Sequence, residues 1–134
     1  MYKCKYFNIE ELVPPHVYKE RGNKAWELLD ERLLITIDEL RDALGSAVIN
    51  NYRWGGKRKW SGLRTPESPY YRPYSQHSFG RAADMVFTKV TAEEARQHIF
   101  ANKERYPYVY AVELGVSWLH IDCRNTNRIF TFEA

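Results

Sequence analysis

From Lys24 to Leu44 the apolar residues Trp26, Leu29, Leu33, Leu34, Ile37, Leu40 and Leu44 recur at the spacing of one helix face. Thr36 or Asp38 is expected to divide this stretch into two helices, and Gly45 to cap its end. Upstream, Asn8-Ile9-Glu10-Glu11-Leu12 reads as a capped helical turn with Asn8 at the N-cap and Glu11 closing the box. Pro14-Pro15 ends that turn or opens the next. Beyond Gly45 the pattern shortens. Ala47-Val48-Ile49-Asn50 and Ala82 to Phe87 read as buried strands, and Thr91-Ala92-Glu93-Glu94 is a capping box opening a helix to about Asn102. Val109 to Glu113, Trp118 to Cys123 and Arg128 to Phe132 predict three further strands, the last two joined by an Asn-containing turn. The whole is a single α+β domain over 1–134, with N-terminal helices packed on a small antiparallel sheet.

One stretch escapes both periods. Residues 51–76 form a long loop rich in Gly, Pro, Arg and Tyr, and a loop of that length in a compact domain is functional or disordered. Its aromatics Tyr52, Trp54, Trp60, Tyr70, Tyr71 and Tyr74 argue against disorder, and most are expected to pack the loop onto the sheet.

Composition adds bounds. The chain has 134 residues, enough for one core without staples, and is 44% apolar and 28% charged, as in soluble globular proteins. A net charge of +3 is too mild to argue a nucleic-acid partner; it is compatible with an anionic partner such as a cell-wall polymer and equally with an ordinary mildly basic surface. Cys4 and Cys123 are too few for a disulfide framework; two free thiols are expected, with a single bridge as the alternative. No apolar run reaches membrane-spanning length, and because the start Met1-Tyr2-Lys3-Cys4-Lys5 is charged and lacks an apolar stretch, no signal peptide is expected. Cytoplasmic synthesis of a monomer without membrane insertion is therefore expected.

The chemistry concentrates in two segments. In Ser75-Gln76-His77-Ser78-Phe79-Gly80-Arg81-Ala82-Ala83-Asp84, Gly80 permits a tight turn and Ala82 and Ala83 permit close packing. Asp84 falls within a strand-like run, where an ionised carboxylate is expensive unless paired or metal-bound. In Trp118-Leu119-His120-Ile121-Asp122, strand alternation puts Trp118, His120 and Asp122 on one face, a poor core face and a good cleft wall. His77, Asp84 and His120 together make a nitrogen-and-carboxylate set suited to zinc, with a fourth position left for water. His16 and His98, in helical segments without partners, read as surface residues.

These residues resemble a known family. Ser75, His77, Gly80, Ala82 and Asp84 match the Ser-x-His-x-x-Gly-x-Ala-x-Asp signature of the zinc D-alanyl-D-alanine carboxypeptidases and their phage relatives, the L-alanyl-D-glutamate endopeptidases. His120 matches the family's later histidine ligand, and Ser61-Gly62-Leu63-Arg64 is similar to its Arg-bearing segment, so the likeness runs from about Ile49 to Arg124. It implies a DD-peptidase or hedgehog-type fold, zinc held by His77, Asp84 and His120, and Arg64 binding a substrate carboxylate or the oxyanion. Ser75, Tyr74 and Trp118 are the candidate substrate contacts. Many members carry a Glu or Asp three residues before the last ligand, where this chain has Ser117; Glu113, or failing that Asp122, would then serve as general base. The implied activity is hydrolysis of an amide in the peptidoglycan stem peptide, as in a phage lysin released to the wall. The alternative is a catalytically weak, zinc-binding module that grips peptidoglycan.

Overall fold

The computed structural model describes residues 2–133. Helices α1 (Pro15–Arg21), α2 (Glu31–Leu44) and α3 (Ala92–Ala101) pack with strands β1 (Ala47–Val48), β2 (Ala82–Phe87), β3 (Ala111–Leu114), β4 (Leu119–Asp122) and β5 (Phe130–Glu133). The sheet order is β1-β2-β4-β3-β5. The architecture is α+β, as the periodicity predicts.

The long helical stretch breaks at Leu29, not at Thr36 or Asp38. Gly22–Leu28 is a 3-10 segment, Leu29 is extended, and Asp30 caps α2 by accepting the Arg32 N–H at 2.9 Å. Thr36 stays helical by bonding back to the Arg32 carbonyl at 2.7 Å. Asp38 is consumed elsewhere, accepting the Tyr2 hydroxyl at 2.6 Å and the Lys5 N–H at 2.7 Å, which ties the N-terminal segment to α2.

The antiparallel expectation fails at one edge. β4 pairs with β2 on one side and β3 on the other, so it has no free side on which to form the expected hairpin with β5. The chain instead steps across the start of β3, and β5 pairs parallel to β3. Arg128 pins that crossing by donating to the carbonyls of Val109, Lys103 and Tyr106.

The sheet has two unlike faces. Ala83, Met85, Phe87, Val112, Leu119 and Ile121 face the helices and join Leu33, Leu34, Ile37 and Leu40 in one core. Their alternates, Asp84, Glu113 and His120, stand on the other face. Cys4 and Cys123 are both thiols, near the carbonyls of Leu34 and Arg81 respectively. Among the described residues no helix is long and apolar enough to cross a membrane.

Candidate metal centre

Strand register assembles the site. Asp84 of β2 pairs with His120 of β4. Val112 pairs with Ile121, which puts Glu113 beside His120 on the other side, and Glu113 pairs with Phe132 of β5. One residue from each of four strands thus forms a transverse row, Asp84–His120–Glu113–Phe132, along one wall of a cavity of about 590 Å³.

His77 reaches the row from outside the sheet. Ser75 caps the 3-10 turn Gln76–Phe79 with its Oγ accepting the His77 N–H, and Gly80 ends the turn at φ 68. A side chain at Gly80 would also collide with the Leu28 carbonyl, 2.0 Å from its Cβ. The Gly80 carbonyl accepts the Asp30 N–H at 2.9 Å, so the turn is seated on the helix break described above.

Tautomers follow from the partners. His77 Nδ1 lies 2.8 Å from the Gly62 carbonyl, which can only accept, so Nδ1 carries the proton and the Nε2 lone pair faces Asp84 Oδ1 at 3.3 Å. His120 Nε2 lies 2.8 Å from the buried Asp122 carboxylate and donates to it, which turns Nδ1 toward Asp84 Oδ1, also at 2.8 Å. Three acceptor atoms therefore converge within 4.8 Å of one another in a buried group. Such an arrangement is repulsive unless a cation sits among them, and it can hold a metal ion.

Without metal, a proton fills that need. Burial works against a charged His120, but the hydrogen bonds to Asp122 and Asp84 outweigh it and push the imidazole up to about 9. Burial likewise opposes an ionised Asp84, yet the hydrogen bond from His120 outweighs it and holds the carboxyl well below the usual range. His77 is lowered, chiefly by burial, and stays neutral.

The surroundings are charged and ordered. Arg64 donates Nη2 to Asp84 Oδ2 at 3.2 Å and Nε to the Trp60 carbonyl at 2.7 Å. Asp122 lies behind His120, fully buried and gripped by Arg124 through Nε at 2.8 Å and Nη2 at 2.7 Å. Burial would raise its carboxyl, but the His120 and Arg124 hydrogen bonds lower it. Arg124 in turn lies 4.6 Å over the ring of Phe132, which meets His120 edge-on.

Of the residues singled out in the sequence, His77, Asp84, His120, Arg64, Glu113, Ser75 and Trp118 all line the cavity. Tyr74 does not: it is 86% exposed, and Tyr70 of the same loop reaches the wall in its place. Ser117 is exposed and lines a separate groove. His16 and His98 have partners after all, Thr65 and Glu67 for the first, Tyr106 and Asn102 for the second. The sequence does not reveal Arg124, which falls in the predicted turn after Cys123, although it follows Asp122 by the two positions that keep side chains on one face. Nor does it reveal Lys57, Lys59 and Phe132.

No protein-family model, curated protein or solved structure matches this chain.

Proposed function

We propose that this protein is a zinc-dependent peptidase of the peptidoglycan stem peptide, of the D-alanyl-D-alanine carboxypeptidase and L-alanyl-D-glutamate endopeptidase kind. The observation that carries the reading is the convergence of His77 Nε2, Asp84 Oδ1 and His120 Nδ1, with the far nitrogen of each histidine already bonded. Two nitrogens and one carboxylate oxygen are the donor set of a hydrolytic zinc site. Zinc held there supplies Lewis acidity toward an amide carbonyl and lowers the pKa of water.

The chain's own residues supply the rest. Glu113 is half-buried on the cavity wall and forms no hydrogen bond or ion pair among the described residues, so its carboxylate is free to accept a proton from the attacking water. The same carboxylate then returns that proton to the leaving nitrogen. Arg64, half-spent on Asp84 and the Trp60 carbonyl, keeps Nη1 for a substrate carboxylate or the developing oxyanion. Asp122 orients His120 and is too enclosed to touch substrate.

The test is release of new amino termini from purified peptidoglycan by zinc-loaded protein. Wild type is expected to release them, and His120→Ala and Glu113→Gln not. Ser117, exposed and off the cavity at the position where the resembling family carries its base, favours a second reading as a zinc-holding module that grips peptidoglycan. Binding of zinc-loaded wild type to peptidoglycan with no new amino termini would establish that module and end the peptidase reading.

A further inference from the structure

The basic triplet Lys57-Arg58-Lys59 divides its work. Arg58, in the middle, is turned inward: Nε donates to the Ile49 carbonyl at 2.8 Å and Nη2 to the Asp84 carbonyl at 3.2 Å. Its neighbours Lys57 and Lys59 are exposed, line the cavity, and form no ion pair among the described residues. The other cations of the wall are already ion-paired, Arg124 with Asp122 and Arg64 with Asp84, the latter keeping only Nη1 for substrate. Two ammonium groups are thus the unspent positive charge of the cleft.

Hydrogen bonds fix the backbone that carries them. Asn51 and Arg58 close it, the Asn51 N–H donating to the Arg58 carbonyl at 2.9 Å and Asn51 Oδ1 accepting the Arg58 N–H at 2.8 Å. Gly56 fits because a Cβ there would lie 2.2 Å from the Asn51 side chain. The Asp84 carbonyl that Arg58 grips belongs to the residue at the centre of the candidate metal site, so the lysines and the site share one anchor. Residues 51–76 hold six Lys or Arg and one Glu, a net of +5; the whole chain is +3, which leaves −2 for the remainder. Positive charge is gathered on the loop that walls the cavity, where it attracts anions and focuses them inward.

We propose, on the strength of the peptidase reading, that Lys57 and Lys59 form an anion subsite selecting stem peptides with a free carboxylate beside the bond to be cleaved over those with a carboxamide there. Because the two lysines line the cavity that holds His77, Asp84 and His120, the anion they meet belongs to the molecule occupying that cavity. An amide dipole offers them no net charge. Each exposed pair is modest, so the preference is expected at roughly three- to tenfold and is screened by salt.

Two synthetic stem peptides differing only in that carboxylate and carboxamide decide the matter. Zinc-loaded wild type is expected to show the lower KM on the carboxylate peptide. The Lys57→Gln/Lys59→Gln double variant is expected to lose the difference, and Lys57→Arg/Lys59→Arg to keep it. Titration calorimetry of zinc-loaded Glu113→Gln, with and without the lysine substitutions, reads the same preference as affinity, independently of turnover. Equal KM values in wild type, or a preference that survives in the double Gln variant, would overturn the subsite. So would a double Gln variant that loses only its attachment to walls bearing a phosphate polymer while treating the peptides as wild type does. If wild type cuts neither peptide nor whole peptidoglycan, the peptidase reading falls, and the calorimetry alone judges the lysines.

Discussion

At His120 a proton and any metal ion held by the candidate site would compete for one lone pair. Nε2 is fixed on Asp122, so any cation must be met at Nδ1, and in the metal-free protein a proton stays there up to about pH 9. Metal capture must expel that proton. Affinity for zinc is therefore expected to rise about tenfold per pH unit between roughly 7 and 9 and then flatten. Calorimetry in buffers of different ionisation enthalpy would show about one proton released. The stability of the metal-free protein runs the opposite way. His120 is raised above its ordinary 6.5, so its contribution is complete below that value and fades as pH rises through about 9. Asp84 is lowered from 3.8, so its contribution holds above that value and fades in acid. Urea midpoints of metal-free protein should thus peak between these limits. Asp122→Asn is expected to weaken zinc binding about 10- to 100-fold by loosening His120. Glu113→Gln should leave zinc at one per chain while lowering turnover about 10²- to 10⁴-fold. The sequence makes His77, Asp84 and His120 legible only as a set, through the likeness of their segments to a known ligand pattern, because each taken singly could serve as an ordinary structural residue. The task of Asp122 is not legible there, since a carboxylate two positions from a ligand could face the substrate or the ligand. Only the Arg124 fork behind it decides.

Among the elements, the sheet places the chemistry and the glycine turns hold it. Gly62 lends its carbonyl to His77, and its own Cα is pressed so close to Leu12 that a Cβ would lie 2.3 Å from that residue's carbonyl oxygen. Gly62→Ala is expected to cost about 1–3 kcal/mol by overpacking and to lower zinc affinity, because backing away from Leu12 moves the carbonyl off Nδ1. Gly55→Ala is the contrast: φ is 86 but a Cβ there would meet open space, so about 1–2 kcal/mol of backbone strain is expected with zinc affinity intact. Denaturant midpoints and zinc titrations on the two variants would separate the effects. The period-2 patterns make the strands and their two faces legible, and alternation correctly sends Leu119 and Ile121 to the core. Pairing is not legible from the same pattern. A local hairpin between β4 and β5 looks favourable until β2 and β3 are seen to occupy both sides of β4. The break at Leu29 likewise depends on Asp30 meeting the Gly80 carbonyl, a contact that local sequence cannot announce.

For the molecule as a whole, the candidate site is a cross-link between distant parts of the chain. A ligand that binds only the folded form stabilises it by mass action, about 2.7 kcal/mol when free zinc is 100 times its Kd. Thermal unfolding of wild type should therefore shift upward with zinc and return with a chelator, while His120→Ala should show no shift. The overall α+β class follows from composition and periodicity, because both reflect how much apolar surface each segment must hide. The route of the chain through the sheet does not, because it is settled by competition among strands for the same neighbours. The transverse row of Asp84, His120, Glu113 and Phe132 carries one more consequence, in time. Each member comes from a different strand, and no two adjacent strands in the row are joined by a short local turn except β3 and β4. Closing such distant pairs is slow compared with forming helices. A refolding chain would gain its three converging ligands only in its final steps. Its uptake of zinc would then proceed at the pace of folding, whatever the zinc concentration, and intermediates would be hydrolytically silent.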